Sequence, residues 1–381
     1  MPPIVGMRGT EQLGPDQKKI EMADKIKMLV PDETPFTTFL QQTSKTSTGW
    51  PEFKALEDDV LPRFDKVVGA GGVAATFNVL DGTKFHTNDV VIAIRTGEMI
   101  IVVSVAVNAV TTTRGAVPVA LIDQDEILLA GSAQPEGDAS RVPISGNPVP
   151  VTGQTQILRR SWELTGTAYA SENETDPHDW DYQAAKVGIE HKRDIERTIL
   201  FNGAPSKAVA SNGQALRTTA GLLWYIKTNQ VDAAGGFSED EFNAFARLIF
   251  RYGAKRKVLM GSPLATSVLN TYPMSKVRIG QTEKKWGISI TTFISPFGEL
   301  ALVTNWELEG AKYGGILIGY DAANVRYRYL SNSKANRDSH VNTEIQAPGV
   351  DARRDEWLTE CGLEVNLEKT AGVVTGITGA A

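Results

Sequence analysis

Residues 176–203, DPHDWDYQAAKVGIEHKRDIERTILFNG, constrain the fold more than any other stretch of the chain. Trp180, Ala184, Val187, His191, Ile195 and Ile199 recur at three- and four-residue steps, so on a helix they share one narrow face. Lys186, Glu190, Lys192, Arg193, Asp194, Glu196 and Arg197 fill the remainder. Asp176 suits an N-cap and Pro177 a first turn, where no backbone donor is needed. Asn202-Gly203 suits a left-handed close at the other end. The spacing predicts one helix over 177–202, roughly 36 Å long at about 1.5 Å per residue. Such a helix buries one stripe and shows charge elsewhere. It is a strut, and none of its residues makes a catalytic pattern.

The 381 residues suffice for two or three domains, and 41% apolar content supplies a core. The net charge is −6 with no cluster of Lys and Arg, which excludes tight nucleic-acid binding through counterion release. Any contact with nucleic acid is expected to be weak and diffuse. One cysteine, Cys361, allows no internal disulfide and suits a reducing cytoplasm. The first residues lack the apolar core of a signal peptide, and the most apolar run, 99–110, is too short to span a bilayer as a helix. The protein is expected to be soluble and made inside the cell.

Along the chain, 1–15 reads as extended, 16–29 as a short amphipathic helix, and Thr34-Pro35-Phe36 as the start of another turn with Phe36, Phe39 and Leu40 apolar. This first segment has too little local core to fold alone and is expected to lie on something else. Gly69-Ala70-Gly71-Gly72 reads as a flexible joint. From 74 to 131 the pattern is that of strands, at 90–94, 99–107 and 110–113, giving a compact all-β module. Residues 135–150 read as a loop, 154–166 as extended, and 204–218 as a polar loop. Ser238 and Glu241 form a capping box before a helix that turns Phe242, Phe245, Leu248 and Ile249 inward. Residues 257–260 read as a buried strand, and Ser262-Pro263 opens a helix ending near Tyr272. Ser295-Pro296-Phe297-Gly298 joins a hairpin, and 316–318 and 325–330 add strands. Trp357, Thr359, Cys361, Leu363, Val365 and Leu367 alternate with polar neighbours, the pattern of a strand with one wet face. The tail, 370–381, is rich in Gly, Thr and Ala.

Motifs that carry chemistry are scarce. The chain holds no phosphate-binding loop, no G-x-S-x-G and no H-E-x-x-H. His86, His178, His191 and His340 are not paired at ligand spacing, so no metal or cofactor is expected. His191 lies on the helix stripe and reads as a packed imidazole, able to sense pH where the stripe meets another subunit. Asp123-x-Asp125-Glu126 lacks the glycine and distal glutamate of a calcium loop and reads as a solvated turn. Glu172, Glu174, Asp176 and Asp179 suit a helix N-terminus. Glu57-Asp58-Asp59 is a charge run able to pair with a basic patch on a neighbour. Cys361 reads as a buried inert thiol.

The order of three stretches carries a resemblance. They are MADKIKMLVPDETPFTTFL (22–40); Asn88-Asp89-Val90, Gly97-Glu98 and Thr113-Arg114-Gly115 followed by TQILRRSWELTGTA (155–168); and the long helix ending FNG, then TAGLLWYI. Together they resemble the major capsid proteins of tailed bacteriophages with the Hong Kong 97-type fold, in a branch with an inserted β module. The resemblance implies an α+β chain. Its parts would be an N-terminal arm (1–50), an extended loop (51–72 and 132–168), an inserted β domain (73–131), a peripheral domain (169–214 and 346–381) with spine helix 177–202, and an axial domain (215–345). No long charged helical segment precedes the arm, so scaffolding is expected to be a separate protein or a removed leader.

What this implies is a shell subunit and no enzyme. Copies would form pentamers and hexamers closing into an icosahedral head around double-stranded DNA, in a virion assembled in the host cytoplasm. Decoration, portal and scaffolding proteins are possible partners, and no membrane is involved. Candidate inter-subunit contacts are Phe36, Phe39, Glu57, Asp58, Asp59, Trp180 and His191. Three other readings are an encapsulin-like nanocompartment subunit, a cytosolic enzyme with a β-rich lid, and a tail-tube or adhesion protein.

Overall fold

The computed structural model describes residues 34–58, 60, 63–137, 147–171, 179–272, 278–285 and 288–380. The expected helix at 16–29, the charged position Asp59, His178, the Asp176 cap with Pro177, and the acids Glu172 and Glu174 lie outside the described residues. The chain divides into two compact units, one of residues 1–55 with 151–381 and one of residues 56–150. Among the described residues the α-helices are α1 (Pro35–Thr43), α2 (Gly166–Ala170), α3 (Asp179–Phe201), α4 (Leu222–Tyr225), α5 (Glu239–Ile249) and α6 (Pro263–Asn270). Strands dominate the rest, an α+β chain.

The first unit is built on two sheets. One has the order Lys45–Thr48, Val325–Leu330, Ala352–Val365, Gln156–Thr165, with His340–Asn342 also paired to Ala352–Val365. The other is seven-stranded: Gln230–Phe237, Gly372–Ala380, Leu317–Tyr320, Arg256–Gly261, Glu299–Thr304, Ile288–Ile294, Arg278–Lys285. Its central strands read as continuous apolar runs because both faces are covered. Val258, Met260, Val303, Ile318 and Val373 join a cluster with α1, α3 and α4. Leu259, Leu302, Leu317 and Val374, one register position away, join a second cluster with α5 and α6.

The capping box forms as expected: Glu241 Oε2 accepts from Ser238 N at 2.8 Å, and Glu241 N donates to Ser238 Oγ at 3.3 Å. Phe242, Phe245 and Ile249 turn inward, but Leu248 is 39% exposed. The hairpin at Ser295–Gly298 forms, whereas the loop expected at 204–218 holds a second one, Ser206–Val209 with Ala215–Thr218. The small-residue tail is an interior strand. A Cβ on Gly372 would stand 2.7 Å from Ile249 Cγ2 and 2.9 Å from Phe245 Cε2, so α5 packs this closely only on glycine.

Period two holds in Ala352–Val365, but the expected wet face is covered. Its polar members are buried and paired: Glu360 accepts from Arg337 Nε at 2.6 Å and Thr155 Oγ1 at 3.1 Å, and Glu364 from Arg328 Nε at 2.5 Å. On the opposite side Cys361, Leu363 and Val365 enter the core.

The second unit contains a closed barrel of Phe64–Val68, Thr76–Val79, Ala109–Thr113, Glu98–Ala106, Asp89–Ala93 and Glu126–Ser132. The strand at Phe64–Val68 belongs to it, so the glycine joint expected at 69–72 is instead an ordered turn inside the barrel. Gly69 and Gly72 sit at φ 75° and 56°, and Gly69 N donates to Asp123 Oδ1 at 2.7 Å. Asp125, expected in a solvated turn, takes Arg95 Nε at 2.6 Å and Nη2 at 2.8 Å, which holds its carboxyl below the usual range. Glu98 and Arg114, from two separate motif fragments, meet in a fork at 3.0 and 2.5 Å.

Burial pushes the Cys361 thiol up to about 12. A thiol reagent at mildly alkaline pH should therefore leave Cys361 unmodified in the folded chain and modify it in denaturant. Rapid labelling without denaturant would contradict this packing.

Candidate functional site

The site with the most unusual chemistry is the junction of α1 and α3. Helix α1 opens with Pro35 at its first turn, and its N-cap Thr34 makes no side-chain cap bond. Its first amides need another acceptor. Glu196 of α3 supplies it across 160 residues of sequence: Phe36 N donates to Oε1 at 3.0 Å and Thr37 N to Oε2 at 2.6 Å. Thr37 Oγ1 donates to Oε2 at 2.5 Å and Asn305 Nδ2 to Oε1 at 2.7 Å. Glu196 is 0% exposed. Burial pushes its carboxyl above the usual range while these four donors pull the other way. A carboxylate aimed at the positive end of α1 also suits the helix dipole. The sequence reading placed Glu196 on the charged remainder of the strut, and here it is interior.

Around this clamp Phe36 stands edge-on to Tyr320 at 5.4 Å, and Phe39 at 6.4 Å. Phe36 is 1% exposed and belongs to the core of its own chain, so it offers no surface to a neighbour. Segment 35–43 thus has the hydrophobic home that the sequence reading denied to the arm. His191 is 2% exposed; its Nε2 lies 2.8 Å from Thr359 Oγ1 and its ring stacks on Trp357 at 6.3 Å. It lines a cleft of 570 Å³ with Thr38, Gln41, Lys192, Asp338 and Trp357. Burial holds its imidazole below the ordinary value, opposed by Asp194 and assisted by Arg160.

The structure brings Phe36, Phe39 and His191 to this one junction. Trp180 lies elsewhere on α3, in an aromatic group with Trp162 at 5.7 Å and Tyr169 at 5.9 Å, capped by the Arg353 guanidinium at 4.6 Å. Glu57 and Asp58 fall in the second unit. Several charges along α3 are engaged: Arg193 and Arg197 share Glu307 at 2.5 and 2.6 Å, and Glu190 and Asp194 take Arg160 of the strand Gln156–Thr165 at 2.8 and 2.7 Å. Glu196, Thr37 and Asn305 were not legible as a group. The signal available was a helix start with proline and no capping side chain, which demands a distant acceptor.

A model of the SU10 major capsid protein family matches residues 9–378. The chain belongs to that family. Among solved structures, the capsid of a native GTA particle is 11% identical, with 98% of each chain covered and a TM-score of 0.51. A structure from Gordonia phage Cozz is 13% identical, covering 98% of this chain and 96% of that one at a TM-score of 0.50. The encapsulin of Synechococcus elongatus is 12% identical over 61% of this chain and 76% of that one, with a TM-score of 0.41, too distant to argue from. No curated protein sequence matches. The fold is the Hong Kong 97-type capsid fold, α3 its long helix, and the chain is a phage head-shell protein.

Two outcomes are expected at the α1–α3 junction of this capsid subunit. Glu196→Gln turns one of the two acceptor oxygens into an NH₂ that faces a backbone amide, an unmet pairing worth about 1–3 kcal/mol at the start of α1. Hydrogen exchange at the Phe36 and Thr37 amides should accelerate, and unchanged protection would remove Glu196 from the clamp. For His191, the folded chain binds the proton less readily than the unfolded chain, whose value is near 6.5. Stability from this source is full above that value and is lost as pH falls through the lower folded pKa. The denaturation midpoint should drop more for the wild type than for His191→Gln on moving from neutral to mildly acidic pH; equal drops would count against it.

Proposed function

We propose that copies of this subunit assemble into pentamers and hexamers that close an icosahedral head around double-stranded DNA. The family match over 9–378 carries this reading. The N-terminal arm of 1–50 reaches under neighbouring copies from a root where α1 is pinned on α3. Of the extended loop expected at 51–72 and 132–168, the part outside the barrel strand Phe64–Val68 and the sheet strand Gln156–Thr165 laps over the next subunit, and the β module decorates the outer surface. Of the axial domain expected at 215–345, the seven-stranded sheet with α5 and α6 is the part that meets its copies at the capsomer centre, and Gly372–Ala380 joins it. The net charge of −6 limits adhesion of packaged DNA to the inner wall. Portal and decoration proteins complete the head. Assembly takes place in the host cytoplasm, and the subunit performs no catalysis.

Exchanged arms and loops bury more than the ~1,600 Å² of an ordinary interface, so many modest contacts sum to a pressure-resistant wall. Electron microscopy and sedimentation of the purified chain should show closed shells. A monodisperse single copy at high concentration would overturn the reading, as would rods or trimers.

A further inference from the structure

Helix α5 is electrically asymmetric. Glu239, Asp240 and Glu241 stand in its first turn. At its other end a cleft of 660 Å³ is lined by Arg247, Leu248, Phe250, Arg251, Lys255 and the hairpin residues Pro296 and Phe297. The acidic turn and the cleft are about 16 Å apart, the length of an eleven-residue helix. Arg247, Arg251 and Lys255 form no ion pair with another described residue, and neither do Glu239 and Asp240. On α3, by contrast, Arg193 and Arg197 share Glu307, and Glu190 and Asp194 meet Arg160 of the strand Gln156–Thr165.

A single copy cannot bring the two ends of its own helix together. A second copy, placed head to tail, can. Resting on the shell reading above, we infer that the basic cleft at the end of α5 receives the acidic first turn of α5 from the next copy around a capsomer. Such a contact is heterologous: each copy uses one surface to give and another to take, and the series closes into a ring. The cleft also exposes Leu248 at 39% and Phe297 at 37%. Apolar side chains between cations gain from burial against protein and contribute nothing to a bare phosphate. Protein is therefore the better occupant than nucleic acid, and the net charge of −6 points the same way. Electrostatic complementarity of this kind fixes register and rejects the reversed orientation, in which like charges would face each other.

The test is charge reversal at each end. One variant carries Arg247→Glu and Arg251→Glu, a second Glu239→Lys and Asp240→Lys, and a third all four. Glu241 is left in place because it forms the capping box. Circular dichroism and melting identify variants that remain folded. The first two should each lose shells and capsomers, and the fourfold variant should regain them. Mixing the first two in equal amounts gives a sharper result. One kind then carries two acidic ends and the other two basic ends, so only alternating rings form. Alternation permits six members and forbids five: the mixture should give hexamers or hexameric sheets without five-fold vertices.

Assembly of either double variant at the wild-type yield would overturn the inference. So would a folded fourfold variant that stays unassembled, or pentamers in the mixture. Double variants that build normal shells but retain less DNA would assign the cleft to nucleic acid and likewise overturn it. Failure of the wild type itself to form shells would strike the function proposed above, a separate result.

Discussion

The carboxylate of Glu196 fixes the relation of three parts of the chain that are far apart in sequence. It accepts from two backbone amides of α1 and from the side chains of Thr37 and Asn305. Each donor is buried, and each would be costly to leave without a partner. Because α1 lacks a cap of its own, its position depends on α3 being formed, and Asn305 extends the same dependence to the strand end after Thr304. The aromatic contacts of Phe36 and Phe39 with Tyr320 then pack a helix whose start is already determined.

The same device, charge drawn inward and paired, recurs through the chain. Glu360 and Glu364 lie under arginines on a strand whose other face is apolar. Glu98 with Arg114, and Asp125 with Arg95, tie the barrel. Breaking one partner of such pairs exposes a buried charge, which costs far more than an exposed ion pair contributes.

Local signals were read where they were local. The stripe on α3, the capping box at Ser238, the hairpin at Ser295–Gly298 and the strands at 90–113 depend on spacing within a dozen residues, and each formed. The segment 372–380 holds Val373, Val374, Thr375, Ile377 and Thr378, but Gly372, Gly376 and Gly379 interrupt the strand pattern, and only the distant approach of α5 explains why Gly372 is required. The wet face assigned to Ala352–Val365 failed because arginines 23 to 36 residues away cover it, which no window on that strand reports. Glu196 failed for the same reason at greater range. The candidate contacts divided likewise: Phe36 and His191 were chosen for being apolar or on a stripe, and those properties place a residue in its own core as readily as at an interface.

The Gly372–Ala380 strand lies between Gln230–Phe237 and Leu317–Tyr320, with Gln230 opposite Val373. During translation, then, the position beside the edge strand of this sheet stays vacant until the ribosome has released a segment some 140 residues downstream of that neighbour, a late and long-range closure. Nascent chains therefore cannot present finished surfaces to one another on a polysome. The topology acts as a clock, holding back closure of this sheet until residues 372–380 have emerged.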